Sequence, residues 1–172
     1  MILKIWITLL VLMPSCLFAN GDENNSKEVS GGIVTNVLAE SGTVSGPGIM
    51  NGPNFVATTL GTATGDLAGG LGVYIFSATN GPISVAKVHH HWVTVAGDTI
   101  FLEDATATAY QVGPFSGVYA VANDSYKVKI MGGTGRFAGA TGQLTNTGVI
   151  DFNQGKAVLR YQGTINFANQ EH

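Results

Sequence analysis

At 172 residues with 8 basic and 11 acidic side chains, the chain carries a formal net charge of −3 and no basic stripe, which argues against nucleic acid as a partner. Charged residues make up only 11% of it and glycine fills 24 positions, a composition that favours sheet with many tight turns over charged helices. The single cysteine, Cys16, excludes a disulfide framework and a thiolate metal site.

Residues 1–19 read as a secretory signal. Lys4 gives a short basic start, 5–13 are almost wholly apolar, Pro14 ends the run, and Ser15-Cys16-Leu17-Phe18-Ala19 forms the processing region. An apolar stretch of roughly 10 residues is too short to span a bilayer, so no membrane span is expected. The expected location is therefore secreted or periplasmic, with lipoprotein anchoring at Cys16 as the alternative. Residues 20–32 are polar and aperiodic and are read as a flexible tether, leaving 33–172 as one domain.

Within that domain, eight β-type runs are separated by Gly-Pro, Asn-Gly, Gly-Asp and Gln-Gly punctuation: 33–38, 55–60, 71–78, 83–95, 99–110, 126–131, 143–152 and 157–167. No sustained 3.6-residue apolar period occurs outside the signal. Alternation is clearest at Tyr126-Lys127-Val128-Lys129-Ile130 and again along 157–167. The expected fold is all-β: eight antiparallel strands closed as an up-and-down β-barrel, which removes exposed edges. A two-sheet β-sandwich is the alternative.

The run Met131-Gly-Gly-Thr-Gly-Arg-Phe-Ala-Gly-Ala-Thr-Gly142 contains a G-x-G-x-x-A pattern, the fingerprint of a dinucleotide loop. Gly139 and Gly142 interrupt any helix that would follow, and only 30 residues remain after Gly142. The glycines instead suit a sharp corner between strands, where Arg136 and Phe137 would cap one end of a barrel. This stretch, with Gly155-Lys-Ala-Val-Leu-Arg-Tyr-Gln-Gly-Thr-Ile165, Gly70-Leu-Gly-Val-Tyr74 and Thr99-Ile-Phe-Leu-Glu-Asp104, resembles the dirigent and allene oxide cyclase-like barrel proteins over residues 69–167. The resemblance implies an eight-stranded, calycin-type barrel, often trimeric, with an apolar lumen for a small hydrophobic molecule. Plant members steer cyclisation of an epoxy fatty acid or stereoselective coupling of phenoxy radicals. Many bacterial secreted relatives have no assigned activity, and the chain resembles the bacterial secreted members. The cyclase family's carboxylate and asparagine and the dirigent family's acidic and arginine pocket residues have no clear counterparts here. The resemblance carries over the barrel and not its chemistry.

The one cluster with chemical potential is Val88-His89-His90-His91-Trp92, joined to Glu103-Asp104 through Gly97-Asp98. Reading Gly97-Asp98 as a two-residue hairpin turn sets Trp92 opposite Glu103 and His90 opposite Ala105. A one-residue slip would exchange the faces. In this register His90 and Glu103 share the lumen, as partners in proton transfer by an isomerase or cyclase. Trp92, Phe101, Ala105, Tyr74 and Tyr126 are expected to contact the ligand. His89, His91 and Asp104 fall on the other face; their residue types suit zinc or copper, but solvated histidines are the reading taken there. No cofactor and no metal are expected. The function read from these residues is a small-hydrophobic-molecule binder, with catalysis, lipocalin-like carriage and a structural surface or matrix role left open. A homotrimer or homodimer is the expected assembly.

Overall fold

A computed structural model describes residues 25–41, 54–79, 81–115 and 117–168. The proposed signal and Cys16 lie outside these residues. Nine strands occur among them: β1 (Ser26–Ser41), β2 (Asn54–Ala63), β3 (Gly69–Thr79), β4 (Ile83–Thr94), β5 (Thr99–Leu102), β6 (Ala105–Gln111), β7 (Val118–Gly133), β8 (Thr141–Asp151) and β9 (Lys156–Asn166). Each pairs antiparallel with its neighbours, and β9 returns to pair with β1, with Ile33 opposite Leu159. This closure makes a barrel and excludes the sandwich. No helix among the described residues is long and apolar enough to cross a membrane.

Two expectations change. Nine strands replace eight because the run 99–110 breaks at Glu103 and Asp104 into β5 and β6, both lying between β4 and β7. The tract read as a tether to residue 32 is strand from Ser26 onward. Val29 is buried there, and Ser26 to Asn36 pair continuously with β9. A polar, glycine-containing edge was mistaken for loop because one face of the strand is solvated.

Alternation sets the core. Tyr126, Val128 and Ile130 of β7 and Leu159, Tyr161 and Ile165 of β9 are buried, while Lys127, Lys129, Arg160 and Gln162 between them are exposed. The ring has a plugged end, built from two 3₁₀ turns, Gly65–Leu67 between β2 and β3 and Gly135–Phe137 between β7 and β8. Their sequences match as Thr-Gly-x-Leu/Phe-Ala-Gly, at Thr64–Gly69 and Thr134–Gly139. Gly65 and Gly135 take positive φ (83° and 52°), which a side chain resists, so the glycines permit both corners. Each corner drops one large apolar side chain, Leu67 or Phe137, fully into the barrel end. Burying each stabilises by roughly 1.5–3 kcal/mol. Arg136, expected to help plug this end, is exposed and lies over the Phe137 ring, 4.7 Å from its centre.

Candidate lumenal site

The floor of the lumen is the inner surface of that plug. Trp92 donates its indole N–H to the Leu67 carbonyl (2.9 Å) and meets Tyr161 edge-on at 5.2 Å. The Tyr161 hydroxyl accepts from Leu67 N–H and donates to the Thr64 carbonyl, both at 2.8 Å. Every polar atom of these two aromatic residues is therefore tied to the first corner, and their rings are left as an apolar floor.

Above it runs a cavity of about 70 Å³. Trp92 and Ser84 both line it from β4, eight residues and thus roughly 26 Å apart along the strand. So small a volume leaves room for a slender molecule and not a bulky one. Part of its wall carries only small side chains: Ala86 faces Ala107 and Ser84 faces Ala109 across β4 and β6. Lys156, exposed, stands on the lining at the end away from the plug. Most other lining residues are Val, Ile or Leu.

Two residues above Trp92, His90 of β4 meets Tyr126 of β7 over the one strand between them, β6. Their hydrogen bond joins the imidazole Nε2 to the phenolic oxygen, and the rings stack with centres 5.7 Å apart. Small side chains on the intervening strand make the reach possible: Ala105 lies opposite Val88, and Ala107 opposite Tyr126. A bulge delivers Tyr126. Val121 pairs with Gly148 and Lys127 with Thr145, so β7 carries three more residues than β8 over this span. An odd number of extra residues reverses the side-chain parity, turning Tyr126 inward after Tyr119 and Val121.

Burial pushes the His90 pKa from 6.5 down to about 4, helped by the neighbouring His89 and opposed by Asp104. Burial likewise raises the Tyr126 hydroxyl above its ordinary range. Both groups are neutral at pH 7. The His90 Nδ1 is buried without a hydrogen-bond partner among the described residues. An orphaned buried N–H is rarer and costlier than an orphaned lone pair, which assigns the proton to Nε2, donating to Tyr126. The Tyr126 hydroxyl proton is then free to turn toward the lumen. Asn146, 4% exposed, completes this level. Lys127 lies opposite Thr145, which sets Tyr126 beside Asn146 on the inner face. The Asn146 side chain lines the cavity and makes no hydrogen bond to another described residue.

The hairpin register differs from the one read in the sequence. Trp92 faces Ile100, Val93 faces Thr99, and Thr94 N–H donates to the Asp98 carbonyl (2.8 Å). The turn is a three-residue loop, Val95-Ala96-Gly97, with Gly97 at φ 88°. The three-residue offset reverses β5, so Ile100 and Leu102 point inward and Phe101 outward, 51% exposed. Glu103 also faces solvent, 3.8 Å from Lys129 Nζ, and does not meet His90. Tyr74, 46% exposed, is on the outer face as well. Phe101, Glu103 and Tyr74 are thus removed from the lumen. Beyond the break the parity is restored and Ala105 is buried; Trp92, His90 and Tyr126 line the cavity. His89 and Asp104 do pair on the outside at 2.7 Å, but among the described residues no three His, Cys, Asp or Glu side chains gather to hold a metal. Asn146 was missed, although a lone amide in the alternating run Leu144-x-Asn146 was a readable signal.

A closed antiparallel barrel, plugged at one end, with a neutral His–Tyr pair in an apolar lumen, is the class of molecule these features define. No protein-family model and no curated protein matches the chain. Among solved structures it is similar to the pterocarpan synthase dirigent protein GePTS1, at 14% identity over 86% of this chain and 88% of that one, with a TM-score of 0.36. It is similar also to the pterocarpan synthase dirigent protein PsPTS1, at 12% identity over 84% and 97%, with a TM-score of 0.39.

Proposed function

We propose that the chain is a secreted β-barrel that binds a small hydrophobic molecule in its lumen, its apolar walls supplying the affinity and the His90–Tyr126 level the orientation. The observation that carries this reading is the apolar cavity with free polar capacity at a single level. Its small volume favours a slender ligand. Secretion is supported by the composition of residues 1–19.

Carriage without chemistry is favoured over an isomerase or cyclase. A base with a pKa near 4 is badly matched to proton abstraction at neutral pH, and the carboxylate that was to share the task lies outside. The catalytic reading keeps one support: a Tyr126 hydroxyl held by His90 can polarise a ligand oxygen. Self-association, as a homotrimer or homodimer, is supported by an outer apolar row in which Val34, Val158, Val149, Ala120, Tyr110 and Ile83 are successive cross-strand partners.

Native mass spectrometry of the protein purified from its own compartment tests the main reading. A bound small molecule is expected in the wild type and absent in Ala107→Phe, which puts a bulky ring on the small-side-chain wall of the cavity. Equal adducts in both proteins, or none in either, would count against lumenal binding. Turnover of the identified molecule that disappears in Tyr126→Phe would favour the enzyme instead.

A further inference from the structure

Every polar side chain facing the lumen below Lys156 is uncharged. Thr35, Thr59, Ser84 and Asn146 carry no charge at any ordinary pH, and His90 and Tyr126 are neutral at pH 7. An ionised ligand group would enter this wall unpaired, and such burial costs far more than burial of a hydrogen-bonded neutral group. Donors for a ligand oxygen are available at one level, on the same face as the His90 Nδ1 acceptor, unpaired among the described residues. With His90 Nε2 as the donor, the Tyr126 hydroxyl proton is left for the lumen, and the Asn146 amide offers two N–H donors from the adjacent strand. Ser84 is already engaged, donating to the Thr79 carbonyl at 2.8 Å.

Building on the lumenal reading above, we infer that the ligand is an uncharged molecule with a hydrogen-bond-accepting oxygen, such as a ketone, set within an apolar frame and received by Tyr126 and Asn146. A carboxylate amphiphile is the competing chemistry, because Lys156 at the far end of the lining could hold its head while the tail filled the cavity. The two differ in where the oxygen sits and in whether it is ionised.

Three slender probes separate them: 2-hexanone, n-hexane and hexanoate, titrated against the full chain at pH 7 by calorimetry or saturation-transfer NMR. 2-Hexanone is expected to bind at least tenfold more tightly than hexanoate. Its affinity should fall about tenfold in Tyr126→Phe, the usual effect of leaving a buried polar group unpaired, while that of hexane does not fall. Asn146→Leu, read in the same way, serves if the tyrosine variant is poorly folded. Tighter binding of hexanoate, or equal responses of ketone and alkane to the substitutions, would overturn the ligand class and leave lumenal binding standing. Binding of none of the three would remove the lumenal reading and this inference with it.

Discussion

Acidification should destabilise this barrel through one residue, and the size of the effect follows from where that residue sits. His90 is 6% exposed, and burial holds its pKa near 4 against 6.5 in the unfolded chain. Below pH 6.5 the unfolded state takes up a proton that the folded state refuses. The contribution is therefore complete above pH 6.5 and is lost as the pH falls toward 4. Linkage gives a loss of about 2 kcal/mol between pH 7.5 and 5, and about 3 kcal/mol by pH 4. Urea denaturation of the wild type and of His90→Gln at four pH values across this window isolates the effect, because glutamine keeps a hydrogen-bonding group for Tyr126 and does not titrate. Asp66, whose pKa is lowered chiefly by the Ser30 backbone N–H, loses its contribution only at more acidic pH. The stability of the wild type should fall through the window while that of His90→Gln changes much less. Parallel curves would refute a neutral, buried His90.

Gly135→Ala should destabilise by about 2 kcal/mol or more, since a Cβ there would strike Asp98 Oδ1 and φ is positive, whereas Gly70→Ala, with no atom near its Cβ, should stay within about 0.5 kcal/mol. Thermal or urea unfolding of the two variants provides the comparison. Trp92→Phe should cost about 2 kcal/mol by leaving the Leu67 carbonyl unpaired at the floor. Glu103→Gln should leave both stability and any ligand binding nearly unchanged, because the side chain is exposed; a large loss of binding would return that carboxylate to the lumen.

What could be read in the sequence was what local physics decides. The corner at Gly132 to Gly142 was legible because its glycines answer a backbone demand, and Gly132, Gly135, Gly139 and Gly142 do take positive φ. The strand faces at 126–130 and 157–165 were legible because one buried side alternates with one wet side. Register was not legible. A glycine closing a three-residue loop and one opening a two-residue turn look alike in Gly97-Asp98, and the choice decides which face Glu103 and Phe101 occupy. The β7 bulge that turns Tyr126 toward His90 has no periodic signal either, since 122–125 pass as ordinary strand flank. The site was thus half visible: His90, Trp92 and Tyr126 were named, but their relation was not, because it depends on three registers at once. Asn146 is less conspicuous because it does not titrate, and this lumen is built of neutral groups.

Xenon binding followed by ¹²⁹Xe NMR on the full chain addresses the central claim, an open apolar lumen, without knowledge of the ligand. Apolar cavities of this kind take up xenon readily. The wild type should show a saturable shift in the ¹²⁹Xe resonance that is lost in Ala107→Phe. Absence of a saturable shift in the wild type, or the same shift in both proteins, would contradict the account.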